Sequence, residues 1–526
     1  MLVAALGSHA SATPFDDPPT GLIPTSATLA KVRALYQKAH EHDRSRGATI
    51  IEEWRLKQDK MSGTYRVYRL GHDERDVTLL GPLQSESGVH NGTHWQQTRN
   101  GMTYTYAGVH DARDALSERV WTSDSDRDVR LIGESVALNA FVVELDPPGG
   151  RHEWLFVDKR AGTLARREYV EKQRRYTASY DDYRIFDGIA EPSRIRTIDS
   201  YGNERDLSLL SRTLDLTPDP HDVDMPPNRR ALVEFPPNVA SVHLPMRVVN
   251  GLCVVKVRVG AKDYDFLLDS GAAGIVIDPT VADDAHVETV GARVGATIGT
   301  FNETTAIVPV MNVGPLRMRS VVARVVPIPF HLDERTRIAG LLGFDFFLDT
   351  VVHIDLDHGI ANAIAQSAFK PPPDAVPVPL ALDDRTPVAH ARADARTGRI
   401  VLDTGANRSL FTPAFASRAD VAIDPAAATA QFRGMGGMGT AATVHLKSFE
   451  IAALPVFDPV VDVSNANLGA EDIDGTAGTD VLHAYDLFFD YRSAALYVRR
   501  SQARMPHRFN DLAPATRASP RAASHS

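Results

Sequence analysis

The sequence predicts a mostly β protein: an antiparallel β domain with one or more helices, followed by two β lobes in tandem. Three observations carry that prediction. From about residue 50 to 215, apolar and polar residues alternate in short runs separated by turn signals. Proline then becomes dense at Pro218, Pro220, Pro226, Pro227, Pro236 and Pro237, and again in Lys370-Pro-Pro-Pro-Asp-Ala-Val-Pro-Val-Pro379. Between these breaks lie 246–369 and 378–500, which repeat the same landmarks in the same order.

A chain of 526 residues exceeds one ordinary domain. Its apolar fraction of 43% and charged fraction of 24% are those of a globular protein. The net charge of -10, with no basic run interleaved with aromatics, argues against nucleic acid as the main partner. No apolar stretch is long enough to span a bilayer. The single cysteine, Cys253, excludes an internal disulfide and a cysteine-based metal site. It lies in the alternating run Gly251 to Val259 and reads as a buried strand residue.

The elements follow in order. In 1–20, Met1-Leu-Val-Ala-Ala-Leu6 is apolar and Ala10-Ser11-Ala12 fits the cleavage pattern of an export signal. The basic n-region is missing, so two readings stand: a signal-peptide remnant of an exported protein, periplasmic or secreted, or an ordinary disordered terminus. Residues 21–215 form the first domain. Leu29, Val32, Leu35 and Tyr36 have helical spacing within 28–48, which closes at Ser45-Arg46-Gly47. Glu153 to Val157, a turn at Lys159 to Gly162, and Thr163 to Tyr169 read as strand, turn, strand, and runs at 176–186 and 193–200 extend the meander. Trp95, Trp121 and Trp154 read as core or barrel lining. Residues 216–245 and 370–377 read as linkers, and 501–526, rich in Ala, Ser, Arg and Pro, as a disordered tail.

Each repeat opens with a strand pair: 252–259 with 264–268, and 388–393 with 399–402. Each then carries an apolar run, one carboxylate, a hydroxyl residue, glycine and alanine: Phe266-Leu-Leu-Asp-Ser-Gly-Ala272 and Ile400-Val-Leu-Asp-Thr-Gly-Ala406. A short strand and a proline follow, at Pro279 and Pro413. Each ends on a Gly-x-Asp core at Gly343 and Gly478, then on Val351 to Asp355 and Asp486 to Tyr491. A single Asp-(Ser/Thr)-Gly arises by chance in a chain this long roughly one time in five. The weight therefore lies in the repetition.

The residue types define a chemistry. Glycine after the hydroxyl residue permits a turn that a side chain would block, and its amide can donate to the carboxylate. The hydroxyls of Ser270 and Thr404 can bond across to the facing loop. Two carboxylates roughly 3 Å apart cannot both ionise, so one stays protonated. The charged member is then a general base toward water and the protonated member polarises a carbonyl. No metal and no cofactor is required.

On these paired motifs, residues 246–500 resemble two tandem retropepsin-type aspartic protease domains. The resemblance implies a closed, mostly β-barrel lobe in each half, a pseudo-twofold axis, and a cleft between the lobes that takes a protein or peptide substrate. It implies that Asp269 and Asp403 are catalytic, and that Ser270, Gly271, Thr404 and Gly405 support the dyad. It further implies that Gly343 and Gly478 pack behind the catalytic loops. The family also carries a hairpin flap over the cleft. The candidates are Val294 to Phe301, with Gly299 and Phe301, and Phe432 to Gly439, with Gly434, Gly436, Gly437 and Gly439. Whether one flap or two close over substrate stays open, as does whether the lobes pair within one chain or between two.

Gly434-Met-Gly-Gly-Met-Gly439 also satisfies a dinucleotide-binding pattern, but the alternating run from Thr440 to Ile451 reads as a strand where that motif needs a helix. A mobile glycine-rich loop is the better reading. Ala272 and Ala406 stand where some family members carry a hydroxyl that steadies the anionic dyad. Its loss raises the pKa of the pair and predicts activity at mildly acidic to neutral pH. His40-Glu41-His42 lacks the spacing of a zinc-protease helix. The cluster Lys172, Arg174 and Arg175 reads as a solvated strand edge.

Residues 20–215 resemble, by pattern alone, the half-barrel of periplasmic lipoprotein-carrier-like proteins. That likeness implies an apolar ligand, a protein partner or the protease's own substrate; the plain alternative is a packing domain without ligand. The expected function is aspartic endopeptidase. The alternatives are a non-catalytic peptide-binding or scaffold protein and a lipid carrier.

Overall fold

The computed structural model describes residues 15–40, 50–123, 125–186, 189–214, 219–421, 423, 429–452, 454–456, 459–465 and 472–501. Residues 1–14 of the 1–20 stretch expected as a signal remnant or a disordered terminus, 41–48 of the expected helix, and 502–526 of the expected 501–526 tail lie outside the described residues. Among the described residues, no helix is long and apolar enough to cross a membrane.

The protein is mostly β, as the alternating runs predict. The first domain is one 14-stranded sheet made of two meanders. One runs from Val129–Ser135 to Glu204–Leu214, and the other from Ile50–Gln58 to Thr103–Tyr106. They join where Glu204–Leu214 pairs antiparallel with Ile50–Gln58. Burial along Ile50–Gln58 alternates, with Ile50, Glu52, Trp54 and Leu56 turned inward, the period of a half-buried strand. The tightest hairpins carry the backbone their twist demands: Asp59 and Lys60 both have positive φ, as do Lys172 and Gln173.

Two helices pack on one face of this sheet. Leu29–Ala39 starts at Thr28, whose side chain accepts from the Lys31 amide. Its described part closes at His40, whose amide donates to Gln37 O and Lys38 O. The second, Val109–Thr122, follows Gly108, which takes φ +73. Val32 and Trp121 from the helices meet Val129, Phe141, Val143, Leu145, Leu155 and Val157 of the sheet. Each such burial contributes roughly 1.5–3 kcal/mol. Trp95 and Trp154 are fully buried, consistent with a core role.

The two lobes that follow repeat one topology. In the first, Lys262–Leu268 pairs in parallel with Ile338–Leu342, and Val276–Ile277 lies antiparallel beside the latter. In the second, Arg396–Leu402 pairs in parallel with Gly475–Ala477, and Leu410–Phe411 takes the matching place. Asp269 and Asp403 are thus each delivered at the buried end of a central strand.

A six-stranded sheet joins the lobes. At its seam, Thr350–Asp355 of one lobe pairs antiparallel with Tyr485–Asp490 of the other. The proline-dense connectors contribute strands to the lobes: Val233–Glu234 pairs with Leu316–Val325, and Ser241–Leu244 and Val376–Pro379 form the two edges of the joining sheet. Proline suits an edge because it cannot donate to a ladder on both sides. Phe344, Phe346, Phe347, Phe489 and Tyr491 fill the core above that sheet, and Met102 and Tyr104 of the first domain enter the same cluster. The Tyr104 ring meets Phe344 edge-on at 4.8 Å.

Candidate active site

Asp269 and Asp403 meet at the seam between the lobes. Both amides continue their central ladders, Asp269 N donating to Leu342 O at 3.0 Å and Asp403 N to Ala477 O at 2.9 Å. The chain then turns, and the turn amides reach back to the carboxylates: Ala272 N to Asp269 Oδ1 at 2.9 Å, and Gly405 N to Asp403 Oδ1 at 2.8 Å. The two carboxyls share a hydrogen bond.

Glycine is required here by contact with the opposite carboxyl. A Cβ on Gly271 would lie 2.6 Å from Asp403 Cγ, and one on Gly405 would lie 2.4 Å from Asp269 Cγ. Each lobe's glycine thus makes room for the other lobe's acid.

Ser270 and Thr404, both fully buried, bind the loops together. Ser270 N donates to Thr404 Oγ1 at 2.9 Å and Thr404 N donates to Ser270 Oγ at 2.9 Å. Each hydroxyl then donates across the seam, Thr404 Oγ1 to Leu268 O and Ser270 Oγ to Leu402 O, both at 2.7 Å. Gly343 and Gly478 sit behind the loops, where a Cβ would lie 2.5 Å from Ala272 O and 2.7 Å from Ala406 O. Their small size lets the next amide reach those carbonyls, Phe344 N at 2.9 Å and Thr479 N at 2.8 Å.

Asp269 is buried and Asp403 half-buried. Burial pushes the Asp269 carboxyl well above the ordinary carboxylate range, and the neighbouring Asp403 pushes it further; the Ala272 and Gly271 amides pull the other way. Burial also raises Asp403, against the amides of Gly405, Gly271 and Ala406 and the hydrogen bond from Asp269. The pair therefore retains a proton that separate aspartates would lose, and the local bonds favour it on Asp269.

Both glycine-rich segments form hairpins. Thr289–Ala296 pairs with Thr300–Val313, and Thr429–Gly434 pairs with Gly437–His445. The second continues as the strand Gly437–His445 where the dinucleotide-binding pattern needs a helix, so that pattern lacks its required context. Their tips touch. A Cβ on Gly299 would lie 2.1 Å from Gly436 O, and one on Gly436 2.2 Å from Gly299 O. Thr297 Oγ1 donates to Met435 O, and a Cβ on Gly434 would lie 2.2 Å from Ile298. Within each hairpin a phenylalanine faces a glycine across the strands, Phe301 over Gly295 and Phe432 over Gly439. A Cβ on Gly437 would meet no atom within 4 Å. Met435 and Phe301 pack against an apolar cluster of the first lobe that includes Ala272, Leu267 and Leu341.

Three features went unread in the sequence. Tyr491 donates to Ser270 O at 2.7 Å from full burial. The signal was an asymmetry, because Leu356 stands at its counterpart after Asp355. Asp480 accepts from Ser409 N and Oγ at 2.9 and 2.7 Å, whereas the position equivalent to Ser409 in the first repeat is Ile275. The matching Asp345, also buried, is approached instead by Thr98 and Asn100 of the first domain. No local sequence pattern points to that long-range substitution.

The lobes carry an aspartyl protease-like fold, and the aspartyl protease family model matches the chain twice, at residues 255–346 and 389–481. No curated protein sequence matches the chain. Among solved structures, an aspartic proteinase from Irpex lacteus is similar over 50% of this chain and 98% of its own, at 14% identity and a TM-score of 0.33. A LolA superfamily protein from Nitrosomonas europaea is similar over 36% of this chain and 96% of its own, at 13% identity and a TM-score of 0.26. A DUF1329 family protein from Desulfovibrio piger covers 37% of this chain with 97% of its own, at 14% identity and a TM-score of 0.28.

Proposed function

We propose that the protein is an aspartic endopeptidase that cleaves protein or peptide substrates with a water activated between Asp269 and Asp403. The observation that carries this reading is the pair itself: two carboxyls hydrogen-bonded to one another, each passing beneath the other lobe's glycine. In this reading Asp403, whose anion accepts the Gly405 amide, takes a proton from the water as its oxygen attacks the peptide carbonyl carbon. Asp269 gives its proton to the carbonyl oxygen, which relieves the developing charge. The gem-diol collapses when Asp403 returns its proton to the nitrogen, the ionised Asp269 takes back the proton of one diol hydroxyl, and the C–N bond breaks, leaving a carboxylic acid and an amine and restoring the dyad. The two hairpins, meeting tip to tip through Gly299 and Gly436, serve as flaps that cover the peptide and exclude bulk water.

An exported location, periplasmic or secreted, belongs to the same proposal. It rests on the apolar run Met1 to Leu6 followed by Ala10-Ser11-Ala12.

Digestion of casein and of a peptide library, with cleavage points read by mass spectrometry, tests the activity. Asp269→Asn and Asp403→Asn are each expected to abolish cleavage and keep the fold. Cleavage retained in either variant overturns the dyad.

A further inference from the structure

We infer that Asn203, a residue of the first domain, is a positioning residue that fixes the first flap over the dyad; this inference rests on the peptidase reading above. The flap strand Thr289–Ala296 ends its sheet and pairs with a strand on one side only. Its register breaks between Val290 and Arg293. An edge of this kind presents unpaired backbone groups, and the first domain takes them up.

The Asn203 side chain acts there like one rung of a ladder. Val294 N donates to its Oδ1 at 2.7 Å, and its Nδ2 donates to Val294 O at 2.9 Å. Nearby, Ala292 N donates to Asp59 O at 2.8 Å, and Gly291 lies against Met61. Both grips come from hairpin turns of the 14-stranded sheet, one at Asp59-Lys60 and one at Tyr201-Gly202.

Asn203 is itself held. Its amide N–H and Nδ2 donate to Asp199 at 2.9 and 2.8 Å. Asp199 is buried and also accepts from the Tyr201 amide and from Arg174 at 2.9 and 3.0 Å. A side chain so fixed has little freedom to lose when it binds a backbone, which makes it an effective anchor. Val294 lies three residues before Thr297, whose hydroxyl bonds the tip of the second flap. The grip therefore sets where the flap tips meet.

If Asn203 biases the flap toward its closed position, its loss lowers the population competent to hold substrate, and the apparent dissociation constant rises by that factor. Asn203→Ala is expected to raise KM about tenfold and leave kcat within about twofold. Asn203→Asp keeps the acceptor for Val294 N–H but loses the donors to Val294 O and to Asp199 and sets a second carboxylate against buried Asp199, and is expected to release the strand at least as fully as Ala. It also keeps the size of the side chain, should the Ala variant fold poorly.

Hydrogen exchange on the intact protein gives a readout that needs no turnover. Amides of residues 289–296 are expected to exchange about tenfold faster in Asn203→Ala, with the joining-sheet strand 350–355 unchanged. Unchanged exchange at 289–296, or a fall in kcat at constant KM, overturns the inference. If wild-type protein cleaves nothing, the peptidase reading fails, and the exchange experiment still decides whether Asn203 holds the hairpin.

Discussion

Ser270 and Thr404 exchange hydrogen bonds in both directions: each backbone amide donates to the other's hydroxyl, and each hydroxyl donates to a carbonyl of the opposite strand. Four bonds, all fully buried, thus lie directly beneath the carboxyl pair. Thr404→Val keeps the shape of the side chain and removes two of them, leaving the Ser270 amide and Leu268 carbonyl without partners. The expected cost is about 2–4 kcal/mol, read by urea denaturation. Thr404→Ser is expected to restore most of it.

Gly271 and Gly405 bring the acids together by lacking a side chain. Gly271→Ala and Gly405→Ala each place a methyl against the opposite carboxyl. Misplacement on the order of 1 Å at reacting groups costs about a hundredfold in rate. A loss of kcat at least that large is expected in peptide assays, with far-ultraviolet circular dichroism unchanged.

The dyad sets a pH dependence whose sign can be worked out. The Asp269 carboxyl is held above its unfolded value, so its protonated form favours the fold. That stability is full below the unfolded pKa and declines as pH rises toward the folded one. Asp269→Asn is neutral at every pH and can still hydrogen-bond Asp403. It is expected to melt above wild type at pH 7 and close to wild type near pH 4, as thermal scans at the two pH values would show. Under the peptidase proposal, Ala406→Ser would add a hydroxyl beside a loop whose amides already favour the Asp403 anion. The pH-rate profile is expected to move toward acid; a move toward alkali would refute this account.

Tyr104 belongs to the first domain yet packs on Phe344, next to Gly343. Tyr104→Ala is expected to cost about 3–5 kcal/mol and to destabilise the first lobe along with its own domain. A single calorimetric transition shifted downward would show the coupling; two transitions, with only the earlier one shifted, would contradict it.

Much of the lobes was legible in the sequence because the chain states its plan twice. Repetition singles out Asp269 and Asp403, the hydroxyl residues beside them, and Gly343 and Gly478. The hairpins at 294–301 and 432–439 were legible from glycine content and position, and the contact between their tips was not. Departures from the repeat were harder to read. Tyr491 and Ser409 matter because their counterparts are Leu356 and Ile275, and a search for likeness passes over differences. The first domain was legible as strands and one helix. Alternation gives a strand its face but not its partner, so the pairing of Ile50–Gln58 with Glu204–Leu214 lay out of reach. Asn100 and Asn203 are ordinary turn residues until the fold brings Val322 and Val294 beside them. The proline-dense connectors read as breaks because proline interrupts regular pairing, yet an outermost strand tolerates it.

The continuous ladder between Thr350–Asp355 and Tyr485–Asp490 makes the encounter of the two acids a first-order event. Enzymes that assemble such a pair from two separate molecules fall apart on dilution. Here both contributors are tethered, so the pair should persist at any protein concentration at which the chain stays folded. The tether also frees the halves from being identical, and among the described residues it is the first lobe's flap that is fastened to the first domain.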